Sequence, residues 1–349
     1  VTDPDASTAP SPLRPADAYP DPADAPALRW GILAPGGIAR RFAHEIPRYT
    51  ASRVVAVGSR DLGRAEAFAA DHDIPRAYGS YAELVADGEV DAVYVASPHS
   101  AHLELASLAL TAGRPVLVEK SLTRNAAEAR ELFDLAASRG LFAMEAMWSR
   151  FLPHYRAVVD AVHDGAIGEV LTVTAQHGQH LVFGPEHRLW DPALAGGAML
   201  DLTVYPLSFA HALLGVPDQV HAFGALSELG VDTGETVVLR YGERTVAVAQ
   251  ASLETAMANE ATIAGTHGRI DLAGSFYTPV EVALSTHDGA SWRLPVQHEG
   301  GFQFQAAEVA RRVAAGETSS PLMSWQASVE VMELMDEARA QLGVVFPGE

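Results

Sequence analysis

The chain has no cysteine, which excludes disulfides, thiolate metal sites and a cysteine nucleophile. Basic residues are scarce: 24 Lys and Arg stand against 44 Asp and Glu, a formal net charge of −20. A surface that acidic repels phosphate backbones and anionic lipids, so neither nucleic acid nor membrane is expected as a partner. One local basic pocket remains compatible with that balance. No apolar run approaches the roughly 18 residues of a membrane span. The first residues also lack a basic region followed by an apolar one, so a cytoplasmic location is expected. With 349 residues of 48% hydrophobic composition, the chain can bury a large core and is expected to form two domains rather than one.

Residues 1–26 are rich in Pro, Ala and Asp without apolar periodicity, which predicts a flexible or extended tail. From residue 27 to 150 strands and helices alternate. Strands are expected at Arg29 to Ala34, Arg53 to Gly58, Asp91 to Ala96 and Val116 to Glu119. Helices are expected from Ile38 to Ile46, Leu62 to Asp71, His102 to Ala112 and from Asn125 to about Ser138. That spacing predicts a doubly wound parallel sheet. Residues 151–349 differ. Glu169 to His177, Gln219 to Ala225, Thr236 to Tyr241, Thr245 to Ser252, Glu260 to Gly265 and Gly268 to Leu272 read as strands between turns, and Ser324 to Leu342 as a closing helix. The fold class is therefore α/β, a Rossmann-like domain followed by a domain with a large, mostly antiparallel open sheet. One face of that sheet is expected to pack on helices, and the other is free to pair with a second subunit.

The ligand edge of an open α/β sheet lies at the carboxyl ends of its strands. Ala34, Gly36, Gly37, Ile38 and Ala39 follow the first strand as a degenerate glycine fingerprint. Gly36 lets the backbone approach a pyrophosphate, and Ala39 permits close helix–strand packing. At the end of the second strand Ser59 and Arg60 precede Asp61. They suit a 2′-phosphate better than a ribose hydroxyl, which favours NADP over NAD. Arg64 is a further cofactor candidate. Ser97, Pro98 and His99 follow the third strand and would line the nicotinamide ribose. His102 is included with them, although its position also suits packing in the next helix. Glu119 and Lys120 end the run Pro115 to Val118, and the lysine is placed to meet cofactor and substrate. No metal is expected: His99 and His102 lack a third ligand, and His177 and His180 fall on opposite faces of a strand.

Asp201 and Tyr205 are four residues apart. If a helix starts near Thr203 they share a face at its N-terminus, where a carboxylate or phenolate is favoured. Packing alone would explain both residues as well.

Together with Arg29 to Ile32, Ala77 to Tyr81, Met144 to Pro153, Gly196 to Ala198 and Leu342 to Pro347, these motifs resemble the Gfo/Idh/MocA oxidoreductases. Within that family they are most similar to the dihydrodiol and NADP-dependent xylose dehydrogenase branch. The resemblance runs from Leu28 to Pro347. It implies a Rossmann domain, a substrate domain used for dimerisation or higher assembly, Lys120 as the motif lysine, Tyr205 as the acid/base and Asp201 as a ligand of substrate hydroxyls. Trp148, Arg150 and Phe151 fall where that branch shapes its substrate pocket, and Arg188 and Trp190 are weaker candidates. Ser121 stands where the family usually has proline, and Thr203 where it usually has glycine.

The implied reaction is reversible hydride transfer between nicotinamide C4 and a carbinol carbon of a sugar, anhydro-sugar or cyclic diol. Tyr205 exchanges the proton, while Lys120 hydrogen-bonds the oxygen and favours the phenolate. Two other readings stay open. One is a retained nicotinamide that assists elimination or group exchange; the other is a non-catalytic dinucleotide sensor, which would need neither Lys120 nor Tyr205.

Overall fold

A computed structural model describes residues 10–184 and 186–349. It divides into two units. A parallel-sheet unit comprises Pro20–Trp148 and Gly300–Glu333. A large-sheet unit comprises the segment ending at Tyr19, Ser149–Glu299 and Leu334–Glu349.

In the parallel-sheet unit the chain runs β1 (Arg29–Leu33), α1 (Gly37–Tyr49), β2 (Arg53–Gly58), α2 (Leu62–Asp71), β3 (Arg76–Tyr78), α3 (Tyr81–Ala86), β4 (Ala92–Val95), α4 (His102–Thr111), β5 (Val116–Glu119), α5 (Ala126–Arg139) and β6 (Ala143–Ala146). The strand order is β3-β2-β1-β4-β5-β6, parallel throughout. Every residue of β4 and β5 is buried, because helices cover both faces of such a sheet. Phe42 on α1 meets Trp30 of β1 edge-on at 5.2 Å and stacks on Tyr94 of β4 at 4.0 Å. At the start of α5 the Asn125 side chain accepts from the Glu128 N–H at 2.9 Å, the cap read from the sequence. The short strands β3 and β6 were not legible as strands; three or four residues leave too little pattern.

The large-sheet unit opens with α6 (Pro153–His163) and β7 (Val170–Gly178). A π-helical turn (Met199–Thr203) leads into α7 (Val204–Leu214). The remaining strands are β8 (Gln219–Leu226), β9 (Asp232–Tyr241), β10 (Thr245–Ser252), β11 (Ala261–Gly265), β12 (Gly268–Leu272), β13 (Val282–Thr286) and β14 (Ser291–Leu294). They form one sheet in the order β14-β13-β12-β11-β7-β10-β9-β8, antiparallel except for the β7–β10 pair. Val173, Ala175, Val237, Leu239, Ala247 and Ala249 are buried on one face. Thr172, Thr174, Thr236, Val238, Val246 and Val248 occupy the other, partly or fully exposed. β8 is an edge strand. Its Ala222 N–H donates to Gln341 Oε1 at 2.8 Å, and Gln341 Nε2 donates to the Val220 carbonyl at 2.9 Å.

Two helices follow, α8 (Phe302–Ala314) and α9 (Trp325–Leu342). A single break at residue 150/151 therefore does not describe the chain, since Gly300–Glu333 belongs to the parallel-sheet unit. The cause is local. Glu45 of α1 accepts from the N–H groups of Gly301 and Phe302 at 2.8 Å each, capping the start of α8, and Arg41 lies over the Phe302 ring at 4.5 Å.

Residues 10–26 are not a free tail. In the large-sheet unit Leu13 is 3% exposed. Arg14 pairs with Asp160 and Asp164 at 3.1 and 2.8 Å, and the Tyr19 hydroxyl donates to Asp160 at 2.8 Å. In the parallel-sheet unit Pro22 and Ala25 are buried, and Arg311 donates to the Asp21 carbonyl.

Candidate active site

The strand order places the ends of β1, β4 and β5 side by side. The turn after β1 carries Ala34 in the left-handed region, φ 66°. Gly36 precedes α1 with no side-chain cap on the first-turn N–H groups. A Cβ at Gly36 or Gly37 would meet nothing within 4 Å. Their smallness therefore serves nothing inside the chain, and the space they leave, facing uncapped N–H groups, suits a pyrophosphate. At the end of β2, Asp61 accepts from the Arg64 N–H at 3.1 Å and caps α2. Ser59 Oγ accepts from the Asp61 N–H at 3.2 Å. Arg60 and Arg64 are both exposed, and neither makes an ion pair among the described residues, which in a chain of charge −20 is notable. These residues fit a phosphorylated dinucleotide.

Beyond β4, Ser97 Oγ has no hydrogen-bond partner among the described residues. His99 is 4% exposed, with Nε2 3.3 Å from the Lys120 carbonyl. His102 does not face a cofactor. It is fully buried, with Nε2 2.8 Å from the Ser97 carbonyl and Nδ1 2.9 Å from that of Ser121. It ties the loop after β4 to the loop after β5. Glu119 is likewise a brace: 5% exposed, it accepts from the Tyr94 hydroxyl and from the Lys120 N–H. Lys120 itself is half-buried at the end of β5, and the Lys120–Ser121 peptide is cis.

In the large-sheet unit the expected start near Thr203 is too late. The helical run begins with the π turn, so Asp201 lies inside that turn and Tyr205 lies beyond it. The argument from a positive helix end therefore does not reach Tyr205. What shapes the turn is the pair of glycines before it. A Cβ on Gly196 would sit 2.5 Å from the Arg188 carbonyl. One on Gly197, at φ 128°, would sit 2.1 Å from Asp232 Oδ1. Leu189, Ala198, Leu202, Ala251 and Leu253 form a buried cluster that pins the preceding loop. Arg188 reaches Asp201 Oδ1 through both terminal nitrogens, at 3.2 and 3.1 Å.

Tyr205 is 7% exposed and sits in an aromatic cluster absent from the sequence reading. His177 of β7 meets it edge-on at 5.1 Å, and Tyr277 lies 4.8 Å away, with His177 and Tyr277 4.0 Å apart. His177 drew attention in the sequence only as a metal ligand; nothing local pointed to Tyr277, which follows β12.

The branch-specific stretch is more structural than expected. Arg150, 7% exposed, donates through Nε to Ser208 Oγ at 2.8 Å and through Nη2 to the Ser208 carbonyl at 2.9 Å. Its Nη2 is also 3.1 Å from His211 Nδ1, so it braces α7 instead of facing a substrate. Trp148 is 4% exposed in the parallel-sheet unit, under the Arg41 guanidinium at 4.5 Å. Phe151 is 3% exposed. Trp190 donates to the Leu181 carbonyl at 3.0 Å.

Residues 28–147 match the family model described as "Oxidoreductase family, NAD-binding Rossmann fold", and residues 155–271 match "GFO/IDH/MocA C-terminal domain". The bovine trans-1,2-dihydrobenzene-1,2-diol dehydrogenase is 36% identical over 336 residues, covering 92% of this chain and 98% of the relative. The human enzyme of that name is 35% identical over 332 residues, with the same coverage. Among solved structures, a 3-ketoreductase from Actinomadura kijaniata in complex with NADP and TDP-benzene superposes with TM-score 0.80 at 28% identity, covering 90% of this chain and 98% of that one. An aldose–aldose oxidoreductase from Caulobacter crescentus shares the fold, with TM-score 0.79 at 23% identity over 90% and 97% of the two chains. The chain belongs to the Gfo/Idh/MocA family and is an NAD(P)-dependent oxidoreductase.

Proposed function

We propose that the protein uses NADP to oxidise a carbinol of a sugar, anhydro-sugar or cyclic diol, or to reduce the matching carbonyl. One observation carries the reading most: adjacent strand ends bring together an open glycine turn, a serine hydroxyl without a partner among the described residues, and Lys120. The relatives act on a dihydrodiol, and a solved neighbour was crystallised with NADP and a nucleotide.

NADP, when bound, supplies the two-electron acceptor. Gly36 and Gly37 leave room for its pyrophosphate, and Arg60 and Arg64 would hold its 2′-phosphate. Asp201, oriented by Arg188, accepts from substrate hydroxyls. Tyr205 would take the hydroxyl proton as the C–H electron pair passes to the nicotinamide, and return it in the reverse direction; Lys120, at the end of β5, would donate a hydrogen bond to an oxygen of the bound ligand. The test is a panel of aldoses, anhydro-sugars and trans-dihydrodiols assayed with NADP and NAD separately. Lys120→Met and Tyr205→Phe should keep NADPH binding and lose turnover by about 100-fold or more. Near-normal turnover in either variant sinks the assignment.

The open face of the large sheet supports a homodimer or higher assembly, with the location of the protein cytoplasmic. Phe223, 69% exposed on β8, and Val238 and Val248 give that face its apolar content. Val248→Lys should shift the mass in light scattering to that of a monomer, and an unchanged mass excludes this face.

A further inference from the structure

β9 carries two acids that the reaction does not use. Asp232 is 0% exposed and Glu235 4%. Residues three apart on a regular strand face opposite sides, but here the register slips: Ala225 pairs with Gly234 and Leu226 with Asp232. Thr233 is the extra residue of a bulge, which brings Asp232 to the same core face as Glu235. From that face the two acids hold opposite ends of the π turn. Asp232 Oδ2 accepts from the Met199 N–H at 2.5 Å. Glu235 Oε1 accepts from the Thr203 hydroxyl. Asp232 Oδ1 and Glu235 Oε2 have no partner among the described residues.

We propose that Asp232 and Glu235 are positioning residues that clamp the π turn and so orient Asp201 and Tyr205, with Glu235 acting as an uncharged acid. This rests on the reading that Asp201 and Tyr205 meet the substrate. Two carboxylates buried on one face repel, and a buried carboxylate without a counter-charge is strongly disfavoured. Burial, and then the neighbouring Asp232, push Glu235 well above the usual carboxylate range, and burial pushes Asp232 up to about 6. The charged groups around the pair are few. Arg339 of α9 acts on Asp232 from a distance, with its own hydrogen bonds going to Asp336 and Glu349. Asp201, on the turn itself, is paired with Arg188. Across the ladders Glu235 faces Gly224 and Ala251, and Asp232 faces Leu226, none of them titratable.

The test compares Glu235→Gln, Glu235→Ala and wild type in kcat and KM between pH 5 and 9, with NADPH affinity measured alongside. Gln keeps the acceptor for Thr203 and cannot ionise. It should match wild type within about twofold at pH 6 and lack the alkaline rise in KM expected of wild type. Ala should raise KM about tenfold with kcat changed less than threefold and NADPH affinity unchanged. If Gln is as damaging as Ala at pH 6, the acid must be ionised and the proposal fails. It fails also if Ala leaves KM unaltered. An infrared difference spectrum between wild type and Glu235→Gln gives a readout independent of turnover. A protonated carboxylic-acid band lost in the variant supports the proposal, and its absence from wild type overturns it. Absence of turnover across the whole substrate panel would instead remove the proposed function and leave the infrared result standing.

Discussion

Arg60 offers a measurement with a size that follows from its surroundings. It is exposed at the end of β2 and makes no ion pair among the described residues, so replacing it strands no partner inside the protein. Facing a 2′-phosphate of charge near −2, a guanidinium at about 4 Å gains about 1 kcal/mol per unit charge at the dielectric of water. An exposed site belongs at that end of the range, for a Coulombic gain of about 2 kcal/mol. A charge-assisted hydrogen bond is part of the same contact, so the total stays near 2–3 kcal/mol. Arg60→Ala should therefore weaken NADPH binding by about 30- to 150-fold, since 1.4 kcal/mol is a factor of ten. NADH lacks the phosphate and should change less than threefold. Fluorescence titration of both nucleotides at low and high salt reads this directly. The NADPH affinity of wild type should fall more with salt than that of the variant, because screening acts on exposed charge pairs. A change under threefold for NADPH, or equal weakening of both nucleotides, refutes the placement of the phosphate.

Leu13→Ala should cost about 2–3 kcal/mol in chemical denaturation, because the side chain is buried and leaves a cavity; no change would mean that the segment is free. Glu45→Ala removes the shared acceptor of two buried N–H groups at the start of α8 and should lower stability by about 3 kcal/mol, with Glu45→Gln milder. Arg150→Met strips three contacts from Ser208 and His211 and should lower stability by about 3 kcal/mol while moving KM little, as a brace would. For Asp232 the folded pKa of about 6 lies above the unfolded value of about 3.9. The folded state thus keeps its proton longer, and the associated stability, present below about pH 4, is lost as pH rises through about 6. Asp232→Asn, which cannot ionise, should therefore gain stability relative to wild type as pH rises from about 4 to 7, and a flat difference in urea denaturation refutes it.

Much of the parallel sheet was readable because its signals are local. β2, β5 and α2 begin and end where the apolar runs and caps place them, and Lys120 directly follows β5 as the apolar run before it implies. What escaped depends on contacts distant in sequence. Nothing in residues 300–333 announces that α8 is capped by Glu45, more than 250 residues earlier. Arg150 reads as a substrate-pocket residue until Ser208 and His211 are placed beside it. The bulge at Thr233 is marked in the sequence only by the single glycine that follows it, Gly234, and period-two reasoning alone puts Asp232 on the wrong face. The π turn escaped for a similar reason: nothing within Met199–Thr203 marks an extra residue, and the acids that hold its two ends lie more than 30 residues further on.

The Gln341 side chain on the outer edge of β8 has a consequence for assembly. An uncovered edge strand invites another chain to extend the sheet, and that growth has no natural end. Here the amide copies a strand's donor and acceptor at Val220 and Ala222, so an incoming strand would have to displace it. The side chain thus guards this edge against open-ended, fibre-like extension of the sheet from one copy of the chain to the next.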